Sequence, residues 1–224
     1  MAEKEIKKYN EPFRFYTRLN LSELTGLRAF NLQELLVCLK KVPESCIYHH
    51  THRFLQQHQY LSPEPPNDFA YWVSNVLGEK ELGEDLGSID TIGFNNINDL
   101  RQELISVVEN YLKEYPAVKS KFANKDEALY FIKSISFVFP TNYIAHNLAE
   151  FLEMLKKITV DSIYFHIFES RLRLARGTND FSNWIKDSIG DNKLANDISA
   201  LDPYSYTLEE LRYRIIKLTE RRLA

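Results

Sequence analysis

The chain has 224 residues, of which 44% are hydrophobic and 26% are charged, and its formal net charge is −3. A globular protein of this composition can bury a substantial core, and the small negative charge disfavours nucleic acid and anionic membranes as partners. Only seven glycines, with abundant Leu, Ile, Lys and Glu, favour helices over a turn-rich β fold, so the predicted fold class is mainly α.

The first residues are charged and lack the apolar stretch of a signal peptide. No run approaches the roughly 18 apolar residues that cross a bilayer. Together these features predict a cytoplasmic protein. Cys38 and Cys46 are the only cysteines, too few for a disulfide framework and without zinc-ligand spacing, so both are interpreted as buried or bystander thiols.

Alternating apolar residues predict one short strand at the start of each half, in FRFYTRLNL from Phe13 and in YFIKSISFVF from Tyr130. Two such strands can pair with each other and thereby cover exposed edges. Apolar residues at helical spacing predict five helices after each strand. They lie near residues 29–41, 45–60, 68–78, 80–89 and 96–113, and near residues 144–157, 161–174, 180–188, 191–200 and 207–222.

The two halves of the sequence resemble each other. Residues 31–50 and 147–166 share ten identities in 20 positions, where ordinary composition gives about one or two. We therefore predict two tandem helical modules produced by internal duplication. The first covers residues 1–115 and the second covers residues 116–224.

The motif NDFxxW occurs in both halves, at residues 67–72 and 179–184. Its first two residues are predicted helix N-caps, because a short polar side chain accepts a hydrogen bond from an otherwise unpaired amide at a helix start. Trp72 and Trp184 are predicted to anchor the buried face of the following helix. Stacking on a ligand is the alternative for these two rings.

Five segments carry a resemblance to a known family: IYHHTHRFL, NDFAYWV, IYFHIFESRLRL, NDFSNWI and LDPYSYTLEELR. They resemble a prokaryotic family known as domain of unknown function 5752. The resemblance covers nearly the whole chain, and both halves resemble the same module. It implies the domain assignment, and no established activity or catalytic residue comes with it.

The densest polar cluster is YHHTHR at residues 48–53. On an α-helix, His49 and His52 share a face, and so do His49 and Arg53. Two imidazoles at that spacing can begin a divalent-metal site. The second half has apolar residues at the corresponding positions, so a partly buried boundary surface is the competing interpretation.

His50 recurs as His166 at the matching position. One interpretation is a buried histidine that ties two helices together through a hydrogen bond. The other is a general acid or base in each of two equivalent pockets, with Glu169 and Arg173 as nearby partners of His166. Glu169 lies three residues beyond His166, within reach on a helix.

The sequence has neither a nucleophile elbow nor a phosphate-binding glycine loop nor a cofactor fingerprint. The favoured function is a non-catalytic module that binds a protein or small ligand at an aromatic surface or at a groove between the copies, and a homo-oligomer is compatible with it. The alternative is a metal-binding protein or enzyme that uses the histidine-rich segment. The candidate ligand-binding residues are His49, His50, His52, Arg53, His166, Glu169, Arg173, Trp72 and Trp184.

Overall fold

A computed structural model describes residues 11–53, 67–91, 93–94, 96–170, 178–201 and 206–224. Two 17-residue strands, β1 (Phe13–Ala29) and β2 (Leu129–Ala145), form a two-stranded antiparallel sheet. The predicted pairing of the two strands with each other is confirmed. The predicted mainly α class is wrong, because the described residues are 61% helix and 18% strand, a mixed α/β structure. Both strands continue past the short apolar segments that predicted them.

Helices follow each strand. After β1 come α1 (Leu32–Lys41), α2 (Glu44–Tyr48), α3 (Asp68–Asn75), α4 (Lys80–Ser88) and α5 (Ile97–Glu114). After β2 come α6 (Leu148–Leu155), α7 (Val160–Tyr164), α8 (Asp180–Trp184), α9 (Asn192–Ser199) and α10 (Leu208–Leu223). π-Helical turns continue α2, α7 and α8 at His49–Arg53, Phe165–Glu169 and Ile185–Ile189, and 3-10 turns precede β2 at Pro116–Ser120 and Lys125–Glu127.

Each of the ten predicted helical segments overlaps a described helix. The first helix of each half begins later than predicted, at Leu32 and Leu148, because the strands extend to Ala29 and Ala145. None of the described helices is long and apolar enough to cross a bilayer.

The chain divides into two compact units. The central unit is Asn20–Ser136, and the C-terminal unit combines Met1–Leu19 with Phe137–Ala224. Each unit therefore contains one half of β1 and one half of β2 together with one set of five helices. The division of the sequence into duplicated copies at residue 115 stays a prediction.

Each unit has its own hydrophobic core. In the central unit, mainly aliphatic side chains pack with Phe131 of β2, and Leu35 and Leu104 are fully buried among them. In the C-terminal unit, buried aliphatic side chains such as Leu155 and Ile215 are joined by a cluster of aromatic rings with centroids 4.7–6.0 Å apart, formed by Phe13, Phe15, Phe151, Phe181 and Trp184. Edge-to-face pairs recur in this cluster, an arrangement that adds stability beyond the buried area.

The asparagine of each NDFxxW motif caps its helix. Asn67 Oδ1 accepts a hydrogen bond from Ala70 N–H at 2.8 Å, and Asn179 Oδ1 accepts one from Ser182 N–H at 2.9 Å. The predicted N-caps are confirmed for these two asparagines. The aspartates that follow them form contacts with histidines instead.

Candidate functional site

His166 connects three parts of the C-terminal unit. Its Nε2 accepts a hydrogen bond from Tyr16 N–H of β1 at 2.9 Å, and its Nδ1 lies 2.8 Å from Asp180 Oδ2 of α8. Because Nε2 accepts a hydrogen bond from a backbone N–H, the proton of the neutral ring is on Nδ1, and Nδ1–H donates a hydrogen bond to Asp180 Oδ2. The residue is only 2% exposed. We call His166, Asp180 and Tyr16 N–H the C-terminal latch.

His50 forms the same arrangement in the central unit. Its Nε2 accepts a hydrogen bond from Ile132 N–H of β2 at 3.0 Å, and its Nδ1 lies 2.6 Å from Asp68 Oδ2 of α3. The same reasoning assigns the proton of the neutral ring to Nδ1. We call His50, Asp68 and Ile132 N–H the central latch. In both latches, both ring nitrogens bind groups of the chain itself.

The latches bind backbone N–H groups of the strands, those of Tyr16 in β1 and Ile132 in β2. A two-stranded sheet leaves backbone groups on its outer sides, and those that are buried need partners. Beside the C-terminal latch, Ser162 Oγ donates to the carbonyl of Tyr16 at 2.6 Å. Trp184 Nε1 donates to the carbonyl of Glu11, just before β1, at 2.7 Å. Helical side chains thus take the place of a third strand.

Both tryptophans lie in the cores of their units. Trp72 is 4% exposed and Trp184 is 8% exposed, as expected for anchors of a buried helix face. Trp72 Nε1 donates to the carbonyl of Glu127 at 2.7 Å, which matches the bond from Trp184 to Glu11. Ligand binding by these two rings stays a prediction.

Glu169 pairs with Arg18 of β1 in the C-terminal unit. Arg18 is 4% exposed, and its guanidinium carbon lies 5.7 Å from the centroid of the Tyr164 ring. Glu169 was a candidate partner of His166 because the two residues are three positions apart on a helix. That spacing gives no information about Arg18, which lies on a strand far away in the sequence. Arg173 lies outside the described residues.

The histidines on either side of His50 contact different groups. His49 Nδ1 lies 2.9 Å from Ser134 Oγ of β2, whereas His52 Nδ1 lies 2.9 Å from Thr51 Oγ1. The turn that carries them is π-helical, so the α-helical spacing that predicts a shared face does not apply. Within the described part of the chain, no group of three or more His, Cys, Asp or Glu is arranged to hold a metal ion. The side chain of Arg53 lies outside the described part.

A groove of about 820 Å³ opens on the C-terminal unit beside its latch. Tyr16 and Phe165 contribute aromatic rings with centroids 6.1 Å apart and planes inclined by 41°. Charged side chains that line the groove are Glu11, Arg14 and Asp180. Sequence reasoning missed Arg14 and Tyr16, although their alternation with the buried Phe13 and Phe15 in FRFY was the available signal.

The two thiols are buried, as predicted. Burial raises the pKa of Cys38, and it raises the pKa of Cys46 to about 11. Both thiols are therefore protonated at neutral pH and are poor nucleophiles, because the thiolate is the reactive form.

Glu79 lies immediately before α4 in the central unit and is 7% exposed. Burial raises the pKa of Glu79. The carboxylate also accepts hydrogen bonds from Lys121 and from Tyr111, whose hydroxyl lies 2.6 Å away, and these outweigh burial and hold the pKa below its usual range. Burial and the bond to Glu79 raise the pKa of Tyr111. The carboxylate is thus stabilised by the fold in its charged form.

Acid is expected to remove the stabilisation that Glu79 provides. A lowered folded-state pKa gives stability that is complete above the unfolded pKa, about 4.3, and that is lost as pH falls through the folded value. As the pH is lowered from about 5, we expect the free energy of unfolding to decrease less steeply in Glu79→Gln than in the parent. Urea titrations at several pH values measure this difference. Glu109→Gln, which removes the exposed pair with Lys40, is the control and should alter the slope less. Equal slopes for parent and Glu79→Gln would contradict the assignment.

Comparison with known proteins identifies the family. No curated protein matches the chain. A solved structure described as "The structure of OrfY from Thermoproteus tenax" is similar, with 29% sequence identity, 96% of each chain covered and a TM-score of 0.78. The sequence model described as "Family of unknown function (DUF5752)" matches residues 10–220. The chain therefore belongs to the DUF5752 family, whose function is unknown.

Proposed function

We propose that this protein is a non-catalytic binding module that holds a small organic ligand in the groove of its C-terminal unit. The observation that carries the proposal is the groove itself, whose volume of about 820 Å³ lies in the range of small-molecule sites. Aromatic rings and a few charged side chains line it, which is the usual composition of such sites.

Both ring nitrogens of His166 are hydrogen-bonded within the protein, which supports a binding role over acid–base catalysis. A general acid or base must exchange a proton with the substrate through a ring nitrogen. In the C-terminal latch, Nε2 binds Tyr16 N–H and Nδ1 binds Asp180. The imidazole therefore acts as part of the wall that shapes the groove.

We also propose that both units descend from one duplicated module. Matched contacts support this origin, because His50 and His166 each bind an aspartate and a strand N–H. Trp72 and Trp184 each donate to the carbonyl of a glutamate that lies just before a strand. A residue of the central unit that matches a groove residue can then be changed as a control for the same change in the groove.

Native mass spectrometry tests the binding role. The protein is equilibrated with a small-molecule extract of its source cells, desalted and compared with Tyr16→Ala and with Ile132→Ala, the matched change in the central latch. We expect the parent and Ile132→Ala to retain an organic molecule that Tyr16→Ala loses, because Tyr16 lines the groove and Ile132 belongs to the other unit. An unliganded parent protein, or equal retention by Tyr16→Ala, would refute the proposal.

A further inference from the structure

We infer that the groove of the C-terminal unit selects an organic cation, a protonated amine or guanidinium group carried on an apolar body. The inference rests on the binding role proposed above and adds the charge and chemical class of the ligand. Three properties of the groove carry it: its balance of charged groups, its paired aromatic rings and its fixed carboxylate.

The charged groups that line the groove favour a cation. The described residues that line the groove include two carboxylates, those of Glu11 and Asp180, and one guanidinium, that of Arg14. His166 adds no charge in the neutral form in which Nε2 accepts the N–H of Tyr16. Counted over the described residues, the lining thus has an excess of one negative charge, which attracts a cation and repels an anion.

The rings of Tyr16 and Phe165 provide a second attraction for the same kind of ligand. Their centroids are 6.1 Å apart and their planes are inclined by 41°; the Tyr16 ring is half-buried and the Phe165 ring is 4% exposed. The face of an aromatic ring carries a partial negative charge and attracts ammonium and guanidinium groups. The same rings accommodate the apolar body of the ligand.

Asp180 is held in place before any ligand arrives. Its Oδ2 lies 2.8 Å from His166 Nδ1, and its side chain is 18% exposed. A carboxylate fixed by the fold loses little conformational freedom when it binds a ligand. Asn183 also lines the groove and offers an amide that can bind a polar substituent.

The central unit keeps the latch and lacks the two aromatic rings at the matching positions. Tyr130, Ile132 and His49 occupy the positions that match Arg14, Tyr16 and Phe165. Asp68 remains at the position of Asp180 and binds His50 in the same way. Asp68→Asn therefore weakens a latch without changing the groove, which makes it the matched control for Asp180→Asn.

Three probes with the same aromatic body and different charge test the inference: 2-phenylethylammonium, 2-phenylethanol and 3-phenylpropionate. Binding to the full chain is measured by titration calorimetry and by ligand-observed NMR. We expect 2-phenylethylammonium to bind most tightly. We expect Glu11→Gln to weaken its binding about two- to fivefold and Arg14→Gln to strengthen it by a similar factor, since both side chains are exposed.

The latch variants separate the loss of a carboxylate from the loss of stability. Asp180→Asn is expected to weaken binding of 2-phenylethylammonium about tenfold, whereas Asp68→Asn leaves it unchanged. Tighter binding of 3-phenylpropionate, weaker binding after Arg14→Gln, or no binding of 2-phenylethylammonium would overturn the inference. A molecule retained from the extract by the parent and lost by Tyr16→Ala would leave the binding role standing in each of these cases.

Discussion

Replacement of His166 by alanine is expected to lower the free energy of unfolding of the C-terminal unit by about 2–4 kcal/mol. The substitution leaves Tyr16 N–H without its imidazole acceptor and Asp180 without its imidazole donor. A buried group that loses its partner costs more than the net contribution of the original bond, because it no longer has water to replace the partner. The cavity left by the missing ring lowers the stability further. Urea denaturation followed by Trp184 fluorescence, in a Trp72→Phe background, measures the change in this unit.

Two conservative variants divide the effect between the nitrogens. His166→Gln can place an acceptor near the position of Nε2, and His166→Asn can place a donor near the position of Nδ1. We expect each variant to recover about 1 kcal/mol relative to alanine. His50→Ala is the matched change in the central unit and should cost a similar amount there, because the central latch has the same bonds. A His166→Ala protein within about 0.5 kcal/mol of the parent would show that the latch does not stabilise the unit.

The latch explains which parts of the structure the sequence can predict. Recurrence of His50 as His166 is visible in the sequence, and it favours a shared structural role. The bonding partners of these rings are not visible, because Tyr16 N–H lies 150 residues from His166 and Ile132 N–H lies 82 residues from His50. A backbone amide is common to every residue except proline, so no motif marks it as a partner.

Local patterns predict caps and helices well because their interactions are local. Asn67 and Asn179 each bind an amide three residues ahead, within the span of one helical turn. The length of β1 and β2 depends on pairing between strands that are far apart in the chain, and polar residues such as Glu23 and Lys133 join the ladder as a cross-strand ion pair of 3.0 Å. Apolar alternation therefore underestimates the strands, and the fold class inferred from composition is wrong for this reason.

Residues that line the groove are harder to predict from the sequence than residues of the core. Phe13 and Phe15 belong to an alternating pattern whose buried members are easy to recognise. Arg14 and Tyr16 occupy the other face of β1, where an exposed residue is equally compatible with solvent or with a binding site. Only the position of Phe165 and Asp180 around them indicates a site.

Removal of the Glu169 carboxylate is expected to lower the free energy of unfolding of the C-terminal unit by about 3–5 kcal/mol. Arg18 pairs with Glu169, and the Arg18 side chain has no exposed surface, so its charge depends on groups of the protein for stabilisation. Truncation of one member of a buried ion pair leaves a charge that water cannot reach. Glu169→Gln keeps the size of the side chain and removes its charge, so its effect reports the charge rather than a cavity.

A matched exposed pair in the same unit separates burial from charge. Lys217 and Glu220 of α10 form an ion pair of 2.9 Å, with side chains 46% and 37% exposed. Glu220→Gln is expected to change the free energy of unfolding much less than Glu169→Gln does, because water screens this pair. Equal effects of Glu169→Gln and Glu220→Gln in urea denaturation would show that burial of the Arg18 pair has no energetic consequence.

Simultaneous replacement of both buried partners tests the origin of the cost. The double variant Arg18→Met/Glu169→Leu removes both charges and keeps most of the buried volume. Since a buried ion pair loses much of its attraction to desolvation, an apolar pair of similar size is expected to recover most of the stability lost in Glu169→Gln. With the single variants Arg18→Met and Glu169→Leu, the double-mutant cycle is complete and its coupling energy measures the interaction itself. A double variant that is less stable than Glu169→Gln would indicate that the charges also order neighbouring groups, among them the Tyr164 ring 5.7 Å from the Arg18 guanidinium.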